Sequence, residues 1–193
     1  MLYLQEQGCH NLNLVTPTHF MPQMLKALGI AKERGFTLPI VYNTSGYESL
    51  EALRILDGIV DIYLPDMRYS DNAAAMKYSS APHYREINRA AIKEMYRQVG
   101  NLALDEMGIA RRGLIIRHLV LPGGLSGTEE IMKFLAEEIS KDVYISLMAQ
   151  YFPAYRAKEF KELSRRVTSA EYEEAYQAMQ KYELENGWVQ GFE

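Results

Sequence analysis

Five short hydrophobic stretches alternate along the chain with segments of helical pattern, and each stretch ends in polar residues. The stretches cover residues 11–16, 38–44, 59–66, 114–122 and 143–150. This alternation predicts consecutive β/α units of a parallel sheet or barrel. Because the carboxyl ends of the strands carry the chemistry in such folds, the polar residues there are the first candidates for a functional site.

The segments between these stretches have the apolar spacing of amphipathic helices. We expect helices over residues 22–34, 49–56, 84–99 and 128–139, and a charged helical segment from Lys158 onward. Thr168, followed three residues later by Glu171, predicts a capping box for the last helix. We therefore divide the chain into a partial barrel, residues 1–153, and a helical tail, residues 154–193, packed on that barrel.

Charge and composition exclude several classes of protein but do not identify one. The net charge of −4 offers no basic surface for nucleic acid. No apolar run approaches the roughly 20 residues of a membrane span, and the first residues lack a signal-peptide pattern. The single cysteine, Cys9, excludes a disulfide within this chain. We expect a protein of the reducing cytoplasm.

The alternation of side chains along residues 114–122 separates two candidate groups. Arg117 shares a face with Ile115, whereas His118 shares the opposite face with Ile116. A guanidinium needs a partner when it is taken out of water, so Arg117 either binds a ligand in the barrel or pairs with a carboxylate such as Asp66. His118 is expected beneath the helices, as a neutral imidazole held by one hydrogen bond.

Five motifs at the strand ends carry a family resemblance. They are Val-Thr-Pro-Thr-His at 15–19, Val-Tyr-Asn-Thr-Ser-Gly-Tyr at 41–47, Asp-Ile-Tyr-Leu-Pro-Asp-Met-Arg-Tyr at 61–69, Arg-His-Leu-Val-Leu-Pro-Gly at 117–123 and Met-Ala-Gln-Tyr-Phe-Pro at 148–153. In this order the motifs resemble the later part of the radical S-adenosylmethionine (SAM) proteins related to pyruvate formate-lyase-activating enzyme. The resemblance covers roughly residues 8–153.

The resemblance implies both a fold and an activity. The fold is a partial (β/α)6, TIM-like barrel that holds SAM and a [4Fe–4S] cluster. Reductive cleavage of SAM yields a 5′-deoxyadenosyl radical, which abstracts hydrogen from a protein or a small substrate. A glycyl-radical enzyme is the implied protein partner, and flavodoxin or ferredoxin is the implied reductant.

The resemblance also assigns SAM contacts to residues of this sequence. Asp66 and Arg68 match an Asp-x-Lys motif, with Arg in place of Lys, and Arg117 matches an arginine that precedes a Pro-Gly turn. Thr18 and His19 stand where the family commonly has Gly-Gly-Glu. The complete set of implied contacts is Thr18, His19, Asn43, Thr44, Ser45, Asp66, Arg68, Arg117, Gln150 and Tyr151.

The cluster motif Cys-x-x-x-Cys-x-x-Cys is absent from the sequence, and Cys9 alone cannot hold a cluster. We therefore expect a carboxy-terminal piece, inactive by itself, with an exposed sheet edge at residues 11–15 that favours dimers. Two alternatives remain open. One is a metal-dependent hydrolase with His19, Asp66 and His118 as ligands, and the other is a cluster-free relative that only binds SAM or a partner.

Overall fold

The computed structural model describes residues 1–191, so the last two residues of the expected tail, Phe192 and Glu193, lie outside the described part. The strands are β1 (Leu12–Val15), β2 (Ile40–Thr44), β3 (Ile62–Pro65), β4 (Ala103–Leu104), β5 (Ala110–Leu119), β6 (Tyr144–Met148) and β7 (Gly187–Val189). The α-helices are α1 (Leu2–Glu6), α2 (Met21–Glu33), α3 (Leu50–Ile55), α4 (Asn72–Ser79), α5 (Tyr84–Val99), α6 (Thr128–Phe134) and α7 (Ser169–Lys181). A π-helical turn, Leu135–Ile139, extends α6, and 3₁₀ turns cover Thr18–Phe20, Pro122–Gly124, Tyr155–Glu159 and Lys161–Leu163.

The sheet follows the order of the chain. The spatial order of the strands is β1-β2-β3-β5-β6-β7, and every neighbouring pair in this order is parallel. The two-residue strand β4 pairs antiparallel with β5 beside this path. Such an order results when each β/α unit adds its strand next to the previous one. The predicted α/β fold, a partial TIM-like barrel, is confirmed, with β1 and β7 at the edges of the described sheet.

The two faces of the sheet differ in what covers them. On the first face, Tyr42, Tyr63 and Ile116 are fully buried in the main core together with apolar side chains of the helices. Each large side chain buried there stabilises the fold by about 1.5–3 kcal/mol. The second face, which we call the open face, keeps a smaller apolar cluster of Val41, Ile62 and Ile115.

Local sequence signals account for most of the helices. Helix α5 has the predicted bounds, and the capping box predicted for α7 is confirmed, with both reciprocal hydrogen bonds present. Ser49 caps α3, because its side chain accepts a hydrogen bond from the backbone N–H of Ala52. Within residues 1–191, no helix is long and apolar enough to cross a membrane.

Three short elements differ from the sequence prediction. Helix α4 and strand β4 were not predicted, and the tail, expected to be helical, also contributes β7. Strand β5 begins at Ala110, earlier than predicted, because its first residues pair with β4. Strand β7 forms by pairing with β6, where a Cβ atom on Gly187 would overlap the backbone of Ile145.

Candidate functional site

Three neighbouring strands bring polar side chains together at their carboxyl ends. Asn43 lies in β2, Asp66 directly follows β3, and Arg117 lies in β5. The register places Asn43 beside Leu64, and a further parallel bridge joins Asp66 to Arg117. Asn43 and Arg117 each lie two residues after an open-face residue, Val41 and Ile115 respectively, so both side chains belong to the open face.

These three residues and Arg68 form what we call the arginine–aspartate cluster. Asp66 Oδ1 lies 2.8 Å from Arg117 Nε, and Asp66 Oδ2 accepts a hydrogen bond of 3.0 Å from Arg68 Nη2. Arg117 Nη1 donates to Asn43 Oδ1 at 3.3 Å. Arg117 is thus paired with Asp66, one of the two roles expected for it. Its side chain is also partly exposed, so a ligand can reach the guanidinium.

The cluster has unused binding capacity and a surplus of positive charge. Arg117 Nε and Asp66 Oδ1 are close enough for an ion pair, but neither atom has an aligned hydrogen-bond partner among the described residues. The side chains of Arg117 and Arg68 are 30% and 43% exposed. Two guanidiniums against one carboxylate leave one positive charge, which favours binding of an anionic group.

A glycine and a buried amide fix the backbone around the cluster. Asn88 on α5 donates hydrogen bonds of 3.0 Å to the carbonyls of both Gly46 and Asp66. Gly46 has φ +71°, and a Cβ atom there would overlap the Asn88 amide and the Asp66 carbonyl. The loop after β2 therefore requires glycine, because no side chain fits at this approach.

His118 supports the cluster from the opposite face of β5. The ring is fully buried, with Nδ1 2.7 Å from the carbonyl oxygen of Met67 and Nε2 2.9 Å from Thr128 Oγ1. A carbonyl only accepts, so Nδ1 carries the proton and donates. Burial lowers the pKa of His118 to about 4, and the bond to Met67 opposes this shift. The imidazole is therefore neutral at pH 7 and positions Met67, the residue between Asp66 and Arg68.

Two of the predicted SAM contacts, Thr18 and Thr44, belong to a second polar group around Glu48. Both hydroxyls donate to Glu48 Oε1, from Thr18 at 2.8 Å and from Thr44 by a shorter bond. The Thr18 hydroxyl also contacts the hydroxyl of Tyr42 at 3.0 Å. Burial raises the pKa of Tyr42 to about 12, and the charge of Glu48 adds to that increase. This group ties the turn after β1 to the end of β2.

The remaining predicted contacts, Ser45, His19, Gln150 and Tyr151, form no hydrogen bond or ion pair with the described residues of the arginine–aspartate cluster. Ser45 and Gln150 are exposed, and the Ser45 hydroxyl accepts a bond from the backbone N–H of Tyr47. His19 is exposed and makes an edge contact with the ring of Phe20. The Tyr151 hydroxyl donates to the carbonyl of Leu163 at 2.9 Å.

The described residues do not assemble a metal centre. Residues 1–191 contain no group of three His, Cys, Asp or Glu side chains arranged to hold a metal ion. The hydrolase trio of His19, Asp66 and His118 is not brought together, since His118 lies beneath the helices and hydrogen-bonds Thr128. Cys9 is a single free thiol that precedes β1, at the end of the sheet opposite the cluster. It does not fit a [4Fe–4S] centre, which needs several thiolates.

Sequence reasoning did not identify Glu48 and Asn88. Glu48 follows a loop motif, where a carboxylate is usually solvated, and nothing in the local pattern marks it as buried. Asn88 did carry a signal, because it lies on the apolar stripe of α5 between Tyr84 and Ile92. A polar residue on such a stripe needs buried hydrogen-bond partners, and here those partners are carbonyls of the site.

Comparison with known proteins gives a fold and one related sequence. No protein-family model matches the chain. An uncharacterized protein of Methanocaldococcus jannaschii is 31% identical over 178 residues, which cover 91% of this chain and 47% of that protein. The chain thus spans about half the length of the curated relative it matches.

A solved structure shares the architecture. The crystallised domain of a pyruvate-formate lyase-activating enzyme from Bacteroides vulgatus superposes with a TM-score of 0.66 at 13% sequence identity. The superposition covers 95% of this chain and 100% of that domain. Similarity at this level of identity establishes the shared fold.

Proposed function

We propose that this chain forms the SAM-binding part of a radical SAM enzyme related to pyruvate formate-lyase-activating enzyme. The observation that carries the proposal is the arginine–aspartate cluster at the carboxyl ends of three adjacent strands. Its members are residues to which the sequence motifs assign SAM contacts, and the sheet has the fold of an activating-enzyme domain. Motif, fold and side-chain geometry therefore support the same site.

The residues present fit the methionyl end of SAM, which carries a carboxylate and an ammonium group. Arg68 and Arg117 would hold the carboxylate, because both guanidiniums are partly exposed and together exceed the charge of Asp66. Asp66 and the Asn43 side-chain oxygen are the acceptors available for the ammonium group. His118 and Asn88 would act as positioning residues that keep the backbone of 66–68 in place.

In the enzymes that this sequence resembles, SAM supplies an organic radical that removes a hydrogen atom from a substrate. The described residues do not fit the [4Fe–4S] cluster that this chemistry requires, since they include one cysteine. Cluster thiolates would have to come from outside these 193 residues. The contribution we assign to this chain is therefore binding and orientation of SAM. The hydrogen donor, whether a glycyl-radical enzyme or a small molecule, and the reductant stay predictions.

A second candidate follows from the same lone cysteine. A cluster-free relative would bind SAM, or a partner, without radical chemistry. The radical enzyme and a cluster-free relative that binds SAM both predict SAM binding at the arginine–aspartate cluster. They differ in one observable property: a radical enzyme, once supplied with cluster ligands, cleaves SAM reductively to 5′-deoxyadenosine, whereas a binding protein leaves SAM intact.

The test is isothermal titration calorimetry of the chain with SAM. Asp66→Asn and Arg117→Gln should each weaken binding by about tenfold or more, because each removes a charge-assisted contact. Arg34→Gln, an exposed arginine at the end of α2, serves as the matched control and should leave the affinity unchanged. Unchanged affinity in both cluster variants would overturn the assignment of the site.

A further inference from the structure

We propose that a second cavity, which adjoins the arginine–aspartate cluster at Arg68, binds a small anion with a flat aromatic body. The cavity has a volume of about 210 Å³ and lies between the end of β3, α4, the end of β5 and the segment that follows β6. We call it the tyrosine cavity. The lining residues that define its chemistry are Arg68, Tyr69, Tyr78, Tyr151, Arg156 and Phe160.

Three tyrosines of the wall have their hydroxyls engaged within the protein. The hydroxyl of Tyr69 bonds Ser79 Oγ at 2.9 Å, that of Tyr78 donates to Glu162 at 2.7 Å, and that of Tyr151 donates to the carbonyl of Leu163. Because these hydroxyls already have partners, the tyrosines contribute mainly aromatic surface to the cavity. A flat apolar group is the complementary shape for such a wall.

Neighbouring contacts hold this wall in place. The rings of Tyr78 and Phe160 meet edge to face, with centroids 5.2 Å apart and planes at 89°. Lys77 lies over both rings and pairs with Glu162, the acceptor of the Tyr78 hydroxyl. Two elements far apart in sequence, α4 and the segment after β6, are thereby joined into one preformed surface.

Two arginines supply the charge of the tyrosine cavity. Arg156 pairs only with Glu159 among the described residues, at 3.0 Å, and both side chains are more than half exposed. Such a pair is weak, so the guanidinium is available to a ligand. Arg68 reaches the cavity from the arginine–aspartate cluster, which already has a surplus positive charge. An anionic group on the ligand is therefore favoured over a neutral or cationic one.

The volume of the cavity limits the size of its ligand, and Tyr155 adds a further aromatic contact. A volume of about 210 Å³ lies below the 300–1,000 Å³ typical of drug-sized ligands, so a single aromatic ring with one anionic group is the expected scale. Tyr155 lines the cavity, is 92% exposed, and has the left-handed φ of +49° that costs a non-glycine residue energy. In this proposal the Tyr155 ring contacts a bound molecule from the solvent side of the cavity.

The test uses three probes of one shape and different charge, namely benzoate, benzamide and benzamidine, in the absence of SAM. Binding is followed by NMR of the methyl groups of Leu119 and Leu121, which line the tyrosine cavity. The methyl group of Ile87 reports on a different cavity of about 470 Å³ and serves as the internal control. Benzoate should bind about fivefold or more tightly than benzamide, shifting the two leucines and not Ile87, and benzamidine should not saturate.

Matched variants distinguish the contribution of the Arg156 charge from that of the Tyr155 ring. Arg156→Gln should reduce the preference for benzoate over benzamide, because only the charge of Arg68 then remains in the wall, and Tyr155→Ala should weaken both probes. The controls Arg34→Gln and Tyr3→Ala, at exposed positions elsewhere, should change neither. Equal affinity for all three probes, an unchanged preference in Arg156→Gln, or shifts confined to Ile87 would overturn the proposal. Since no SAM is present, failure here is distinguishable from failure of the SAM site.

Discussion

The buried imidazole of His118 makes the stability of the fold depend on pH. Burial lowers its pKa from 6.5 to about 4 in the folded chain, whereas the unfolded chain keeps the ordinary value. Between these two pH values the unfolded state binds more protons, so stability falls as the pH is lowered through this window. From pH 7 to pH 5 the expected loss of unfolding free energy is about 2 kcal/mol.

The assay is urea denaturation at pH 7 and pH 5, followed by circular dichroism, for the wild type and His118→Gln. At pH 7 the variant should be less stable by about 1–3 kcal/mol, because the Met67 carbonyl and the Thr128 hydroxyl lose their partner. Its loss of stability between the two pH values should be smaller than that of the wild type by about 2 kcal/mol. His10→Gln, at an exposed position, should keep the wild-type dependence. Equal pH dependence in the wild type and His118→Gln would refute the reasoning.

Three further predictions concern the frame of the site and the edge of the sheet. Gly46→Ala should lower the free energy of unfolding by roughly 3 kcal/mol, because of the positive φ and the overlap with Asn88. In the same urea denaturation assay the control Gly35→Ala should cost less, because Gly35 also has a positive φ but lies in open space. Glu48→Ala should cost about 1–3 kcal/mol in thermal unfolding, since the buried hydroxyl of Thr44 and the partly buried hydroxyl of Thr18 lose their acceptor. The edge strand β1 should promote concentration-dependent dimers in light scattering that Val15→Lys weakens, and a clean monomer at high concentration would contradict this.

The fold was predictable because its strands and helices have strong periodic patterns. The alternation of hydrophobic stretches gave five of the parallel strands, and the parity of β5 correctly separated Arg117 on the open face from His118 beneath the helices. The short strands β4 and β7 were not predictable, because two or three residues contain no period. Strand β4 forms through a hairpin with β5, the strand that follows it, and β7 forms through pairing with β6, which lies about 40 residues earlier.

The site was predictable in part. Position at the ends of adjacent parallel strands suffices to bring Asn43, Asp66 and Arg117 together. The partners that fix them come from other segments, such as Asn88 on α5. Such tertiary contacts cannot be predicted from the local sequence pattern. Thr44 illustrates the difference, because its strand position was predicted but its bond to the buried Glu48 was not.

The measurement that tests the central claim most directly is an NMR titration of the ¹⁵N-labelled chain with SAM. The account predicts saturable shifts in the backbone amides of Asn43, Met67, Arg68 and Arg117, at the carboxyl ends of β2, β3 and β5, with the amides of α7 unchanged. The absence of shifts at millimolar SAM, or shifts confined to α7, would contradict it.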